Sequence, residues 1–465
     1  MLWVAILSSF VAFLDGSIVN VALPAIAHSL GGGIVTQQWV LDGYLLTLGS
    51  LILVAGALSD SYGRVRVLRT GLILFGAASL LCAAAPDGQV LIVARMIQGA
   101  AAALLVPSSL ALITSTFNDA PRARAIGLWT GWTGTAFIVG PVLGGVLVDA
   151  VSWRLVFGIN VLPIAATLAL LGRLHDPERV AARTPIDLLG AVLAAFGLAG
   201  PVFALIVQDS LGWASPLVFA PFAGGLVCLA VFIWWESRAR HPMMPLALFR
   251  VRNFGVGNLA TAGIYAGISL GLFMLPVFLQ EVAGMSAVAA GLATIPLTIM
   301  SLSFATLFGT LAGKYGPHLF MAIGPFLGAL GFLWMLAARA PLNYWWQILP
   351  GVVLFGLGLS ITVAPLTAAV LGSIDPTQSG IGSAINNAVS RVAGLLAIAS
   401  AGAIVGGTLD YGSFHRVMLV TAALLFAGAV VSAVGIRNLP RTAPPVPAEA
   451  AAACHDRLVT GGTSP

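Results

Sequence analysis

The chain has 465 residues, of which 59% are hydrophobic and only 8% charged. Average usage is about 25% charged, so a water-soluble domain is excluded and an all-α polytopic membrane protein is expected. The formal net charge of +5 comes from basic residues scattered along the chain with no single basic face, which argues against a nucleic-acid partner.

Apolar runs between polar breaks predict fourteen spans, at about 3–27, 38–58, 67–86, 89–112, 124–149, 154–172, 187–208, 216–235, 254–280, 286–312, 317–338, 344–371, 380–406 and 414–436. Such runs are long enough to cross a bilayer as helices. The first has no positive stretch before it and is too long for a typical signal peptide. Its only ionisable side chain is Asp15, near the middle of LDGSIVNVALP (14–24). A carboxylate at that depth costs several kcal/mol on insertion scales, so it should face protein or water and is a plausible proton carrier. Asn20 adds an amide, and Pro24 breaks the helical ladder.

Asp42 enters the second span, and Arg95 enters the fourth from the same side. A guanidinium cannot neutralise itself and needs an acceptor. At 1.5 Å per residue, Asp42 and Arg95 come to similar depth, within about 10 Å of one boundary, with Asp15 roughly 10 Å deeper. Asp42 is therefore the expected partner of Arg95. A direct Asp15–Arg95 pair would require a water or a helix shift. Gln98 is expected to bond a neighbouring helix. In the fifth span, Gly127 with Gly131 and Gly140 with Gly144 are spaced to present bare backbone to a neighbour, and Pro141 kinks the helix. Arg391 lies halfway along the thirteenth span, where snorkelling, Asp375 or backbone carbonyls could satisfy it; a structural role is favoured over substrate contact.

Most of the basic residues, including Arg64, Arg66, Arg69, Arg179, Arg183, Arg250, Arg252 and Lys314, fall at one set of alternate span ends, against Arg154, Arg339 and Arg416 on the other. That bias places the first set and both termini in the cytoplasm. Trp39, Trp153, Trp213, Trp234, Trp235, Trp345 and Trp346 lie near span ends, as an aromatic belt requires. The expected organisation is a six-helix block over 1–172, a linker with two inserted helices over 173–253, a second six-helix block over 254–436, and a disordered tail over 437–465. Gly56-Ala-Leu58-Ser-Asp60-Ser-Tyr62-Gly63 aligns with Gly309-Thr-Leu311-Ala-Gly313-Lys-Tyr315-Gly316, the mark of a duplicated transporter half. The cysteines Cys82, Cys228 and Cys454 form neither a disulfide framework nor a metal spacing.

GALSDSYGRVRVL (56–68) resembles the loop signature G-x-L-a-D-r-x-G-r-k/r of the major facilitator superfamily, with Ser61 and Val65 replacing the usual bases. The resemblance implies a cytoplasmic gate from Gly56, Asp60, Gly63, Arg64 and Arg66. LIVARMIQG (91–99) resembles the family's R-x-x-q-G motif on helix four, whose arginine faces the central cavity. Gly127–Leu147 is similar to the g-x-x-x-G-P-x-x-G-G motif of its exporters, on Gly131, Gly140, Pro141, Gly144 and Gly145. LDGSIVNVALP resembles the helix-one signature of the fourteen-helix drug:proton antiporters. Gln38–Leu46, Trp153–Asn160 and Pro245–Phe254 match further segments of that group.

The resemblance, which covers about residues 3 to 436, implies a proton-coupled exporter of the inner membrane that works by alternating access. Asp15 would exchange protons, with Asp42 and Arg95 tuning it or touching substrate. Asn20, Trp39, Tyr44, Trp129, Tyr265, Phe273 and Met274 would line the cavity. The substrate would be a small amphipathic molecule, often cationic in this family. Protons and the lipid bilayer would be its other partners, a monomer is expected, and no cofactor would be needed beyond the proton gradient. A lipid translocase of the same fold is the alternative, and Gly140-Pro141 disfavours an importer. An enzyme is not expected: there is no metal cluster, nucleophile elbow or ATP-binding loop.

Overall fold

The computed structural model describes residues 1–117, 119–173, 187–375 and 378–438, apart from the side chains of residues 60, 114, 115, 119, 120, 122 and 123. Fourteen helical spans long and apolar enough to cross a membrane lie among them, as the apolar runs predict. The first six are α1 (Leu2–Leu30), α2 (Gly33–Tyr62), α3 (Arg64–Ala84), α4 (Gly88–Thr116), the broken span α5 (Asp119–Gly134) with α6 (Ala136–Ala150), and the broken span α7 (Arg154–Gly158) with α8 (Val161–Gly172). Two more follow, α9 (Leu188–Leu211) and α10 (Pro216–Glu236). The last six are α11 (Arg252–Glu281), α12 (Ala287–Tyr315), α13 (His318–Trp334), α14 (Tyr344–Gln347) with α15 (Leu349–Leu371), α16 (Ser379–Ala399) with the short α17 (Ala401–Val405), and α18 (Tyr411–Gly435). The expected tail lies, beyond Asn438, outside the described residues, as do Arg179 and Arg183.

An even number of spans puts the start of α1 and the end of α18 on one face, the terminal face; the other is the distal face. Local chemistry sets many of the helix ends. Asp87, Asp187 and Ser286 each accept a hydrogen bond from the backbone three residues on, supplying one of the acceptors that a first helical turn lacks. Asp410 and Ser413 make a reciprocal capping box at α18. The bonds from the Ser413 backbone and hydroxyl hold the Asp410 carboxyl below the usual carboxylate range. Gly63 ends α2 at φ +96°, and Gly316 ends α12 at φ +87°. Only glycine takes such angles without strain, so the two copies of the sequence repeat share a backbone device.

The first six spans pack mainly on one another, with α1 touching α2, α4, α5, α6 and α8. The last six do likewise, around α11, α13, α15 and α18. Hydrophobic burial does not drive helix pairing in lipid, so close approach depends on small residues. At the α9–α10 pair, for example, Gly225 has backbone of Gly197 and Gly200 against it. The α9 helix rests on α2 and α16. The two sets of six meet mainly between α6 and α12, α2 and α16, and α1 and α11.

Candidate functional site

Asp15 lies at the centre of the first six spans and has no exposed surface. Its Oδ2 accepts from Arg95 Nη1 at 2.6 Å. Its Oδ1 accepts from Gln98 Nε2 at 2.9 Å and from Asn160 Nδ2 at 2.8 Å. The Ser79 hydroxyl accepts from both amides, at 2.8 and 3.4 Å. Arg95 is also fully buried; its Nε donates to the Val40 carbonyl at 2.9 Å and its Nη1 to Gln98 Oε1 at 2.6 Å. The Tyr44 ring covers the guanidinium at 4.3 Å. Five helices therefore meet at one carboxylate. Further hydrogen bonds offset the cost of a buried ion pair: three donors satisfy Asp15 as an anion, while Arg95 Nη2 is left without a partner among the described residues.

The helix breaks explain part of this geometry. The turn at Ile159–Asn160 splits the sixth span and brings the Asn160 amide to Asp15. Arg154 fastens the start of that span by donating to the Ala83 and Ala85 carbonyls at 3.2 and 2.6 Å.

The expected Asp42–Arg95 pair is not formed. Both Asp42 oxygens are buried with no hydrogen-bond partner among the described residues, and Arg95 turns to Asp15 instead. Counting residues from assumed boundaries misplaced the two groups. The 29 residues of α1 amount to about 43 Å of helix, longer than the ~30 Å hydrocarbon core, so its end does not mark the membrane boundary. An arginine side chain covers several ångströms more. Gln98 does bond neighbouring helices, as expected, and it does so as part of the Asp15 cluster. Sequence reasoning did not identify Asn160 or Ser79 as site residues; Asn160 stood in a matched segment, but Ser79 carried no signal.

The helix-five glycines divide between two tasks. A Cβ on Gly144 would lie 2.8 Å from Ile18 Cγ1 and 2.9 Å from the Ile18 carbonyl, and one on Gly140 would strike Ser17. These two hold α6 against α1 just past Asp15. Gly145 faces the other set of helices: its Cβ would lie 2.6 Å from Val288 Cα and 2.8 Å from the Ala287 carbonyl. The Pro141 carbonyl abuts Gly291 in the same way. One turn on, the Asp149 carboxylate accepts from the backbone N–H groups of Ala287 and Val288 at 3.1 and 2.9 Å, at the positive end of α12.

Other bonds close the distal face as well. Gln37 Nε2 donates to Glu281 at 2.5 Å, Gln38 Nε2 to the Ile398 and Ala399 carbonyls at 2.7 and 2.9 Å, and Gln280 Nε2 to the Val21 carbonyl at 3.0 Å. Toward the terminal face these helices have open space beside several glycines. An added Cβ on Gly127, Gly131, Gly56, Gly313 or Gly380 would meet nothing within 4 Å. The expected packing of Gly127 and Gly131 against a neighbour is therefore absent here. The two sets of six are sealed on the distal side, and these five glycines have open space beside them toward the terminal side.

Residues 5–188 and 186–398 match the family model of the Major Facilitator Superfamily. The chain belongs to the Major Facilitator Superfamily. It is 32% identical over 429 residues to a methylenomycin A resistance protein of Bacillus subtilis (strain 168), covering 91% of this chain and 92% of that one. It is 32% identical over 448 residues to a cephamycin export protein of Amycolatopsis lactamdurans, covering 94% and 92%. Its fold is similar to a crystal structure of a peptide transporter in complex with sulfate, with a TM-score of 0.70 at 15% identity, covering 93% and 92%. These are transport and resistance proteins, not enzymes.

Other residues expected from the superfamily's patterns take varied places. At the terminal-face gate, Gly63 makes the turn, Arg64 Nη1 donates to the Ala111 carbonyl at 3.0 Å, and Arg66 is exposed. The Asp60 side chain lies outside the described residues. Of the expected cavity walls, Phe273 and Met274 are buried in a hydrophobic core to which both sets of six contribute, and Trp39 packs beside Phe203 of α9. Their helix faces were the unknown. Tyr44 is buried against Arg95, Asn20 donates to the Gly16 carbonyl, and Trp129 and Tyr265 are half-buried.

Proposed function

We propose that this protein is a proton-coupled exporter of small amphipathic molecules in the cell inner membrane, with the terminal face in the cytoplasm. Two six-helix blocks, 1–172 and 254–436, rock about a central cavity while the pair within 173–253 rides at their side. The observation that carries the reading is Asp15 saturated by three donors in a conformation whose distal face is closed. An exporter driven by inward protons must give up its proton before it loads substrate from the cytoplasm. A deprotonated Asp15, neutralised by Arg95, is the form that suits loading. In the opposite conformation Asp15 meets water as its donors part, takes a proton, and weakens the substrate site. Coupling needs such a difference in affinity between two states. Asp42 is a second buried carboxyl, with no donor among the described residues.

The relatives are resistance and export proteins, which supports the direction of transport and makes methylenomycin A and cephamycin the first test compounds. In proteoliposomes with an imposed pH gradient, the wild type moves substrate against protons and discharges the gradient. Asp15→Asn folds and inserts but does neither. Export by Asp15→Asn at the wild-type rate, or wild-type export indifferent to collapse of the gradient, would refute the proposal.

A further inference from the structure

The helix α16 is the most amphipathic of the spans. Ser379, Ser383, Asn387 and Arg391 repeat every fourth residue, so they form one polar stripe along it. Asn387 is exposed, and Ser379, Ser383 and Arg391 are partly so. A polar stripe turned toward lipid at this depth would be costly. The stripe instead runs up from the terminal face, where Gly56, Gly313 and Gly380 have open space beside them. It stops where Leu395 and Ala399, just beyond it, are fully buried. Arg391 is thus the last residue of the stripe, about 18 Å along the helix from Ser379.

Among the described residues Arg391 has neither an ion pair nor a hydrogen bond, so the expected anchors, Asp375 and backbone carbonyls, do not hold it. Three helices converge on it. Its Cβ lies 3.5 Å from where a Cβ on Gly49 of α2 would sit, and Gly394, three residues on, packs against Ser269 of α11. The acidic groups nearby are committed or shielded: Asp15 is paired with Arg95, and Asp42 is buried. A guanidinium stays charged and requires an acceptor. A half-buried one without an acceptor, at the inner end of a polar stripe, is a site awaiting an anion.

We infer that Arg391 binds the acidic group of the substrate, which is an amphipathic organic anion with an apolar body and a carboxylate or similar head. The inference rests on the proposed exporter function and replaces the cationic substrate expected from family resemblance. The α2 helix lies against both this site and the proton site: the ring of Tyr44 lies on Arg95, and Gly49, further along the same helix, lies against Arg391.

The test uses the purified full-length protein and two probes of one shape, 1-naphthoate and 1-naphthylmethylammonium, with binding read by thermal shift and calorimetry. Naphthoate binds the wild type and raises its melting temperature, whereas the ammonium probe does not. Arg391→Gln binds naphthoate at least tenfold more weakly, and Arg391→Lys recovers part of the loss. The melting temperatures of the ligand-free variants match the wild type, because the side chain has no partner to lose. Equal naphthoate binding by Arg391→Gln, preference for the ammonium probe, or no wild-type binding of naphthoate would each overturn the inference. Binding needs no proton gradient, so this test and that of Asp15→Asn fail independently.

Discussion

Gly145→Ala tests whether the distal seal sets the conformational balance. The new methyl would stand 2.6 Å from Val288 Cα and 2.8 Å from both the Ala287 carbonyl and the Val288 nitrogen. All three are backbone atoms, so no side chain can swing away. Carbon atoms sit comfortably at about 3.5–4.0 Å, so α12 must retreat by about 1 Å, and with it the N–H groups bonded to Asp149. Overpacking of this kind costs about 1–3 kcal/mol. The cost falls only on the distally closed state, because opening separates α6 from α12. A difference of that size shifts a two-state equilibrium about 5- to 150-fold. Spin labels at Gln89→Cys and Arg339→Cys, both exposed near the distal face on opposite sets of six, report the separation in a cysteine-free background by double electron–electron resonance. The expected result is growth of a longer-distance population in Gly145→Ala. A distance distribution identical to that of Gly145 would show that the contact does not hold the seal.

Asp149→Asn keeps the shape but loses the charge at the start of α12. Charge–dipole terms of about 0.3–2 kcal/mol predict a smaller shift in the same direction, roughly two- to thirtyfold, read by the same labels. Arg95→Gln strands the Asp15 carboxylate and should cost about 3–5 kcal/mol in thermal unfolding. Asp15→Asn/Arg95→Gln should recover much of that loss; a double variant as unstable as the sum of its parts would contradict the pairing. For Asp410, whose native carboxyl titrates below its usual range, the stabilisation is complete above the unfolded value and fades as the pH falls through the native one. The melting difference between the wild type and Asp410→Ala should therefore be constant near neutrality and shrink below about pH 4. A difference that persists unchanged in acid would mean that the cap does not depend on the charge.

Residue order made much of the site legible. Asp15 stood out because one acid in a long apolar run has no cheap alternative to function. Gly140, Gly144 and Gly145 stood out because their spacing and the adjoining proline admit close helix contact. The partners were harder to see. Arg95 was singled out, but residue counting assigned it to Asp42. Asn160 belonged to a recognisable segment without any hint that a break at Ile159 would turn its amide to Asp15. Ser79 looked like any small residue in an apolar helix. Phe273 and Met274 looked like cavity walls because aromatic and thioether side chains suit drugs, yet those side chains suit a packed core equally well.

The order of residues alone determined that this chain lives in a bilayer, how many times it crosses, which superfamily it joins and which acid stands out, because each follows from composition, run length and local spacing along one dimension. Only the folded arrangement decided that Asp15 is paired with Arg95, that Gly145 faces the opposite set of helices while Gly144 faces its own, and that Arg391 stands unpaired among the described residues, beside α2. Those facts depend on the rotation, tilt and height of each helix relative to its neighbours. In a membrane these are set by close contacts between helices far apart in the chain, and no window along a single helix records them.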